Sequence, residues 1–159
     1  MKILVLCTGN SARSILLEAI LNCQGNGRLK AHSAGSKPTG VVHPHSLKLL
    51  KDKGIIGNFH SKSWEIFSKD TKTTMDIVIT VCDNARDGEC PYWPGNPIRA
   101  HWGVSDPANV TGSYSQKQIA FETIYNILEK KAKAFLDLEF ENMSHDMLQK
   151  NINNISRII

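Results

Sequence analysis

The chain has 159 residues, 41% of them hydrophobic and 21% charged, which excludes a wholly disordered chain and leaves room for little more than one domain. Nineteen Lys and Arg against fifteen Asp and Glu leave a net charge of +4. That balance suits a small anionic ligand or plain solubility, and without a clustered basic face no nucleic acid partner is expected.

The elements alternate along the chain. Ile3–Leu6 is a short continuous apolar run, as in a strand buried on both faces. Gly9-Asn10-Ser11 reads as a turn, and Arg13 to Asn22 as a helix with Gly25 or Gly27 past its end. Leu29 to Ser33 is a weak strand. A helix opening near Pro44 carries Leu47, Leu49 and Leu50 and stops by Gly54, and Ser63 to Phe67 forms a short helical segment. Ile77 to Val81, β-branched throughout, is the clearest strand. Asp83 to Gly95 reads as a long loop rich in Pro, Gly and Asn. Ile98 to His101 is a fourth strand. A long helix follows from about Gln116 to Leu136, with Ala120, Ile124, Ile127, Leu128, Phe135 and Leu138 at helical spacing. From Asp137 the chain turns polar and Asn-rich. Leu148, Ile152, Ile155 and Ile159 keep helical spacing there, as in a short packed helix or, as the lesser alternative, a partner or dimer contact. Strand–helix alternation on this scale predicts an α/β domain with a mainly parallel sheet.

No apolar run approaches the roughly 20 residues of a membrane span. The opening MKILVLC is too short for a signal-peptide core. A cytoplasmic protein is the expectation. The four cysteines, Cys7, Cys23, Cys82 and Cys90, are then more often catalytic or redox-active than structural, and they are sparse for a secreted disulfide scaffold.

Cys7 ends the first strand, and Thr8, Gly9, Asn10, Ser11, Ala12, Arg13 and Ser14 lead into the first helix. Backbone N–H groups without intrahelical partners, together with the helix dipole, make such a loop an oxyanion cradle. The same amides stabilise a thiolate, so a thiol there is expected to ionise easily. Arg13 can lay its planar fork on two oxygens of a tetrahedral anion, and Ser14 can hydrogen-bond the Cys7 sulfur. Thiolate, amides and Arg together suit nucleophilic attack on a phosphate-like centre. The bland alternative is a buried apolar cysteine ending a strand. Neither the Gly-x-Gly-x-x-Gly nor the Gly-x-x-x-x-Gly-Lys phosphate loop occurs.

Asp106-Pro107 follows the last strand. Asp106 is either a turn residue or a general acid for a leaving oxygen. Ligands of parallel sheets bind beyond the C-terminal strand ends, where Cys7, Cys82 and Asp106 are expected to converge. Cys82 and Cys90 share one loop with seven residues between them, too wide for a paired metal motif, and no metal is expected. They are either a redox relay, in which Cys82 attacks an adduct on Cys7 and Cys90 then attacks Cys82, or two thiols without a role. Cys23, late in the first helix and expected to be partly buried, is assigned none.

The stretches CTGNSARS from Cys7, SAG from Ser33 to Gly35, TVCDNA from Thr80 with Cys90-Pro91 after it, and HWGVSDPA from His101 resemble the low-molecular-weight protein tyrosine phosphatase fold family. Within it they are similar to the thioredoxin-coupled arsenate reductases. The resemblance covers residues 1–136 and sets 137–159 apart as a polar, helical C-terminal extension. It implies a single three-layer domain with a four-stranded parallel sheet in the order 2-1-3-4 and helices on both faces. It implies Cys7 as nucleophile, Arg13 as clamp, Asp106 as acid, and Cys82 and Cys90 as relay, with Asn10 and Ser14 supporting loop and thiolate. Position 12 is Ala where many relatives carry a second cysteine. Ala108 follows Asp-Pro where tyrosine phosphatases carry Tyr. The residues around Ser63 do not match the potassium site of some reductases.

The leading expectation is therefore arsenate reduction to arsenite, with phosphate and sulfate as substrate analogues. No cofactor is bound, and the electrons come from an external thiol reductant, thioredoxin or a glutaredoxin–glutathione couple. The alternatives are a phosphatase acting on phosphotyrosine or small esters, which needs neither later cysteine, and a non-catalytic oxyanion-binding domain. Oligomeric state is not legible in the sequence.

Overall fold

The computed structural model describes residues 1–70, 72–87 and 91–159, without the side chains of 86 and 87. Cys90, the outer member of the expected relay, lies outside the described residues. Four strands, β1 (Lys2–Cys7), β2 (Lys30–Gly35), β3 (Ile77–Thr80) and β4 (Ile98–His101), form a parallel sheet in the order β2-β1-β3-β4. This is the expected 2-1-3-4 order.

Alternation along the buried strands supplies two cores, because successive side chains point to opposite faces. Ile3, Val5, Ile77, Ile79, Ile98 and Ala100 face one cluster. Leu4, Leu6, Ala34 and Val78 face the other, which Met75, Trp93, Trp64 and Phe67 complete. The first and larger layer holds α1 (Arg13–Gln24), α2 (Pro44–Asp52), α5 (Tyr114–Leu136) and α6 (His145–Ile155). The second carries the short α3 (Glu65–Ser68). Ser113 and Gln116 form a reciprocal capping box, so α5 starts two residues before the sequence expectation.

Several expectations need correction. The stretch from Asp83 opens with a helical turn, α4 (Asp83–Asp87), not with loop. Its Ala85 is fully buried in the larger core, so one apolar contact outweighs the polar composition around it. Leu47 and Ile159 are exposed at 45% and 89%, and Cys23 is exposed rather than partly buried. Helical spacing places a residue on a face, but the width of the covering layer decides burial. Among the described residues no helix is long and apolar enough to cross a membrane.

Candidate active site

The strand register brings Cys7 level with Gly35, Leu6 with Thr80, and Thr80 with His101, so the C-terminal ends of all four strands open on one edge. The loop after Cys7 turns through Asn10, whose φ of 45° lies in the left-handed region. Asparagine tolerates that region because its short side chain bonds locally. Here Asn10 Nδ2 donates to Ser14 Oγ (2.9 Å) and Ser33 Oγ (2.8 Å), and its Oδ1 accepts from the Lys62 amide (2.8 Å). These bonds hold the turn from inside.

Neighbouring backbone holds it from outside. Ser36 N–H donates to Cys7 O, Lys37 N–H to Thr8 O, Thr39 N–H to Gly9 O and His43 N–H to Ser11 O. With these carbonyls occupied outward, the Asn10 N–H turns inward to the Cys7 sulfur. The N-cap of α1 is Ala12, which offers no side-chain cap, and the first turn carries no acidic residue. The positive end of α1 is thus left open for an external anion.

Cys7 sits in this cradle, 3% exposed. Its Sγ lies 2.8 Å from Ser14 Oγ and accepts from the Asn10 amide at 3.1 Å. Burial is the largest influence and pushes the thiol above its ordinary value. The Ser14 hydroxyl and Asn10 amide pull it down, and a charge on the nearby Cys82 would raise it further. Burial thus opposes the ionisation that the hydrogen bonds of the cradle favour. Cys82 follows β3, and its Sγ lies 3.5 Å from the Oγ1 of Thr8, the residue next to Cys7.

Arg13 lines the same cavity as Cys7. Its guanidinium donates to Asp106 Oδ2 at 2.6 Å and to Val104 O at 3.2 Å. Asp106 Oδ1 accepts from the Ala108 amide at 3.1 Å, which fixes the carboxylate at the head of the 107–109 turn. The cavity of about 420 Å³ runs from Cys7 to Arg13, with Lys37, Thr39, Asn84, Asp106, Ala108 and Asn109 around its mouth. No aromatic side chain lines it among the described residues.

The structure thus brings Cys7, Arg13 and Asp106 to one cavity, with Cys82 beside Thr8, and leaves Cys23 on the far end of α1. Sequence reasoning missed a polar chain behind the loop. Ser33 Oγ also donates to Glu18, and Lys62 Nζ lies 3.8 Å from the same carboxylate. Burial raises Glu18 above the usual carboxylate range, against the Ser33 hydroxyl and the Lys62 ammonium. Glu18 falls on the apolar-periodic helix, five residues after Arg13. A lone acid on such a face was the available signal. Among the described residues, no group of His, Cys, Asp and Glu is arranged to hold a metal.

A doubly wound parallel sheet with a cysteine in an amide cradle at the head of its first helix defines a class, that of thiol enzymes handling tetrahedral oxyanions. The sequence model of the low molecular weight phosphotyrosine protein phosphatases matches residues 2–152, and the chain belongs to that family. It is 32% identical over 132 residues to an arsenate reductase of Bacillus subtilis (strain 168), covering 83% of this chain and 92% of that one. It is 36% identical over 112 residues to arsenate reductase 1 of Staphylococcus epidermidis, covering 70% and 82%. In fold it is similar to an arsenate reductase in a phosphate-binding state, with TM-score 0.69, 24% identity, and coverage of 85% and 95%. It is likewise similar to a low molecular weight phosphotyrosine phosphatase of Vibrio cholerae O395, with TM-score 0.71, 20% identity, and coverage of 89% and 97%.

Proposed function

We propose that the protein reduces arsenate to arsenite through Cys7 and passes the oxidising equivalents to Cys82 and Cys90. The observation that carries this reading is the second thiol. Cys82 Sγ lies 3.5 Å from the hydroxyl of Thr8, the residue after Cys7, where phosphoester hydrolysis has no use for it. The relatives named arsenate reductase, at 32% and 36% identity, support the same substrate.

In this mechanism the oxyanion enters over the N–H groups of residues 8–14, and Arg13 leaves Asp106 to grip two of its oxygens. The Cys7 thiolate attacks arsenic, and Asp106 delivers a proton to the departing oxygen, which leaves as water. The Cys82 thiolate then attacks the Cys7 sulfur. The sulfur–arsenic bond breaks with its electron pair going to arsenic, so As(V) becomes As(III), arsenite is released, and a Cys7–Cys82 disulfide remains. Cys90 attacks Cys82 and frees the Cys7 thiolate. An external dithiol protein reduces the Cys82–Cys90 bond; thioredoxin fits this step, and a glutaredoxin–glutathione couple would use the same nucleophile. A cytoplasmic setting, where such reductants work, suits the free thiols.

Thiol trapping and mass spectrometry after one arsenate turnover should find the Cys82–Cys90 disulfide in the parent, a Cys7–Cys82 bond in Cys90→Ser, and no intramolecular disulfide in Cys82→Ser. Sustained multiple turnover with thioredoxin in both variants would overturn the relay. Hydrolysis of small aryl phosphates is the second reading, favoured by family membership. It shares the first step and should survive in Cys82→Ser.

A further inference from the structure

The mouth of the Cys7 cavity carries a cation that the mechanism does not use. Three charged side chains line the cavity among the described residues: Arg13, Asp106 and Lys37. Arg13 and Asp106 are paired at 2.6 Å and cancel each other while the site is empty. Lys37 has no described side-chain partner. Among the described residues, the uncompensated positive charge on the cavity lining is therefore its ammonium.

The mount of this side chain is rigid. Ser36 N–H donates to Cys7 O (3.2 Å), Lys37 N–H to Thr8 O (3.0 Å) and Thr39 N–H to Gly9 O (3.0 Å). Position 38 is Pro, whose φ is fixed by its ring. The 36–39 segment is thus tied to the carbonyls of the residues whose N–H groups form the cradle. The backbone of Lys37 keeps its place relative to the anion site, while its exposed side chain stays free to swing.

We propose that Lys37 is the substrate-recruiting residue of this site. Its ammonium draws an unsubstituted, partly protonated tetrahedral oxyanion into the mouth and holds an outer oxygen while Arg13 exchanges Asp106 for the anion. The proposal rests on the oxyanion reading of the Cys7 cradle and adds the source of its attraction. The cradle N–H groups and Arg13 grip the anion once it has arrived. Lys37 supplies the longer-ranged pull, since a charge at a solvated mouth acts over the Debye length, about 30 Å at 0.01 M salt and about 8 Å at 0.15 M. A charge on a long flexible stem suits this task, because it can meet oxygens from many directions.

The test uses inorganic phosphate as probe and reads binding without turnover, as protection of Cys7 from iodoacetamide, with the labelled cysteine identified by mass spectrometry. In the parent, phosphate should slow alkylation, and its apparent dissociation constant should rise with salt between 0.01 M and 0.15 M. Lys37→Gln should weaken phosphate about tenfold at low salt and flatten the salt dependence. Lys37→Glu should weaken it further, and Lys37→Arg should restore parent binding. A Lys37→Gln protein that binds phosphate as the parent does, with the same salt dependence, overturns the role of Lys37 and leaves the oxyanion site standing. A Lys37→Arg protein as weak as Lys37→Gln also overturns it, because charge is then not the cause. A parent that phosphate does not protect at all overturns both the recruitment and the oxyanion reading beneath it.

Discussion

Cys7 is held between two opposed influences. The burial that keeps water from the sulfur disfavours its charge, and two hydrogen bonds give part of that back. Ser14 is the larger of the two, and a hydrogen bond to a charged partner contributes about 1.5–3 kcal/mol. Replacing Ser14 with Ala should push the thiol further up and move the pH profile of Cys7 alkylation to higher pH. The alkylation rate at neutral pH should then fall about tenfold or more. The same raised value has a consequence for stability. The folded state keeps the Cys7 proton at a pH where the unfolded chain has already lost it. Below the ordinary thiol range this group contributes no pH dependence. Stability then falls as pH rises from that range toward the folded value. Urea melts at pH 7 and pH 10 should therefore show a larger loss in the parent than in Cys7→Ser. An equal loss in both would place the effect elsewhere. At this scale the chemistry-bearing residues were legible, because Cys7, Arg13 and Asp106 lie in short local patterns at strand ends. The balance at Cys7 was not, since helix position signals the amides but not the depth of burial. Glu18 was hidden because its partners Ser33 and Lys62 come from distant parts of the chain.

Among the elements, the end of β2 bears on the site more than its weak strand signal suggests. Gly35 pairs with Cys7, and a Cβ built on it would stand 2.4 Å from Thr8 O and 3.0 Å from Asn10 Cβ. No side chain fits there without moving the loop, and the first of those neighbours is backbone, which cannot rotate away. The Ser33-Ala34-Gly35 stretch thereby gains physical content. Ser33 bonds Asn10, Ala34 fills the smaller core, and Gly35 lets the loop lie against the strand. Gly35→Ala should destabilise the fold by about 1–3 kcal/mol, as overpacking does. Its larger effect should fall on the site, because the shifted atoms belong to the cradle. The measurement is phosphate protection of Cys7 set beside a thermal melt, and protection should be lost in protein that still melts cooperatively. The alternation of strands and helices and the sheet order were readable from apolar runs and the resemblance. The helical turn α4 was not, since composition around Asp83 favours loop and only the docking of Ala85 against the sheet makes the turn worthwhile.

On the scale of the whole molecule, the polar C-terminal stretch is tied to the site through the last strand. Leu148, Ile152 and Ile155 of α6 are buried in the larger core with Phe135 and Phe140. Trp102, next after β4, donates its indole N–H to Ile152 O at 3.1 Å. The end of α6 is held by Lys131, 1% exposed, whose Nζ donates to Ser156 O (2.8 Å) and Ile158 O (2.6 Å). Burial lowers this ammonium from its usual value, so the two carbonyls are what keep a charge in that position. Two residues beyond Trp102, Val104 O receives Arg13. A line of contacts thus runs from α6 through Trp102 to the Arg13–Asp106 pair. If residues 137–159 were an appendage, loosening them would leave the rest of the protein untouched. The packing predicts the opposite. Ile152→Ala removes a fully buried side chain and should cost about 2–5 kcal/mol. Helix content by circular dichroism and burial of Cys7 by thiol labelling should be lost in one coincident transition, shifted to lower urea by the substitution. A tail that melts first, with the Cys7 transition unmoved, would show that α6 lies on the domain without being part of its cooperative core.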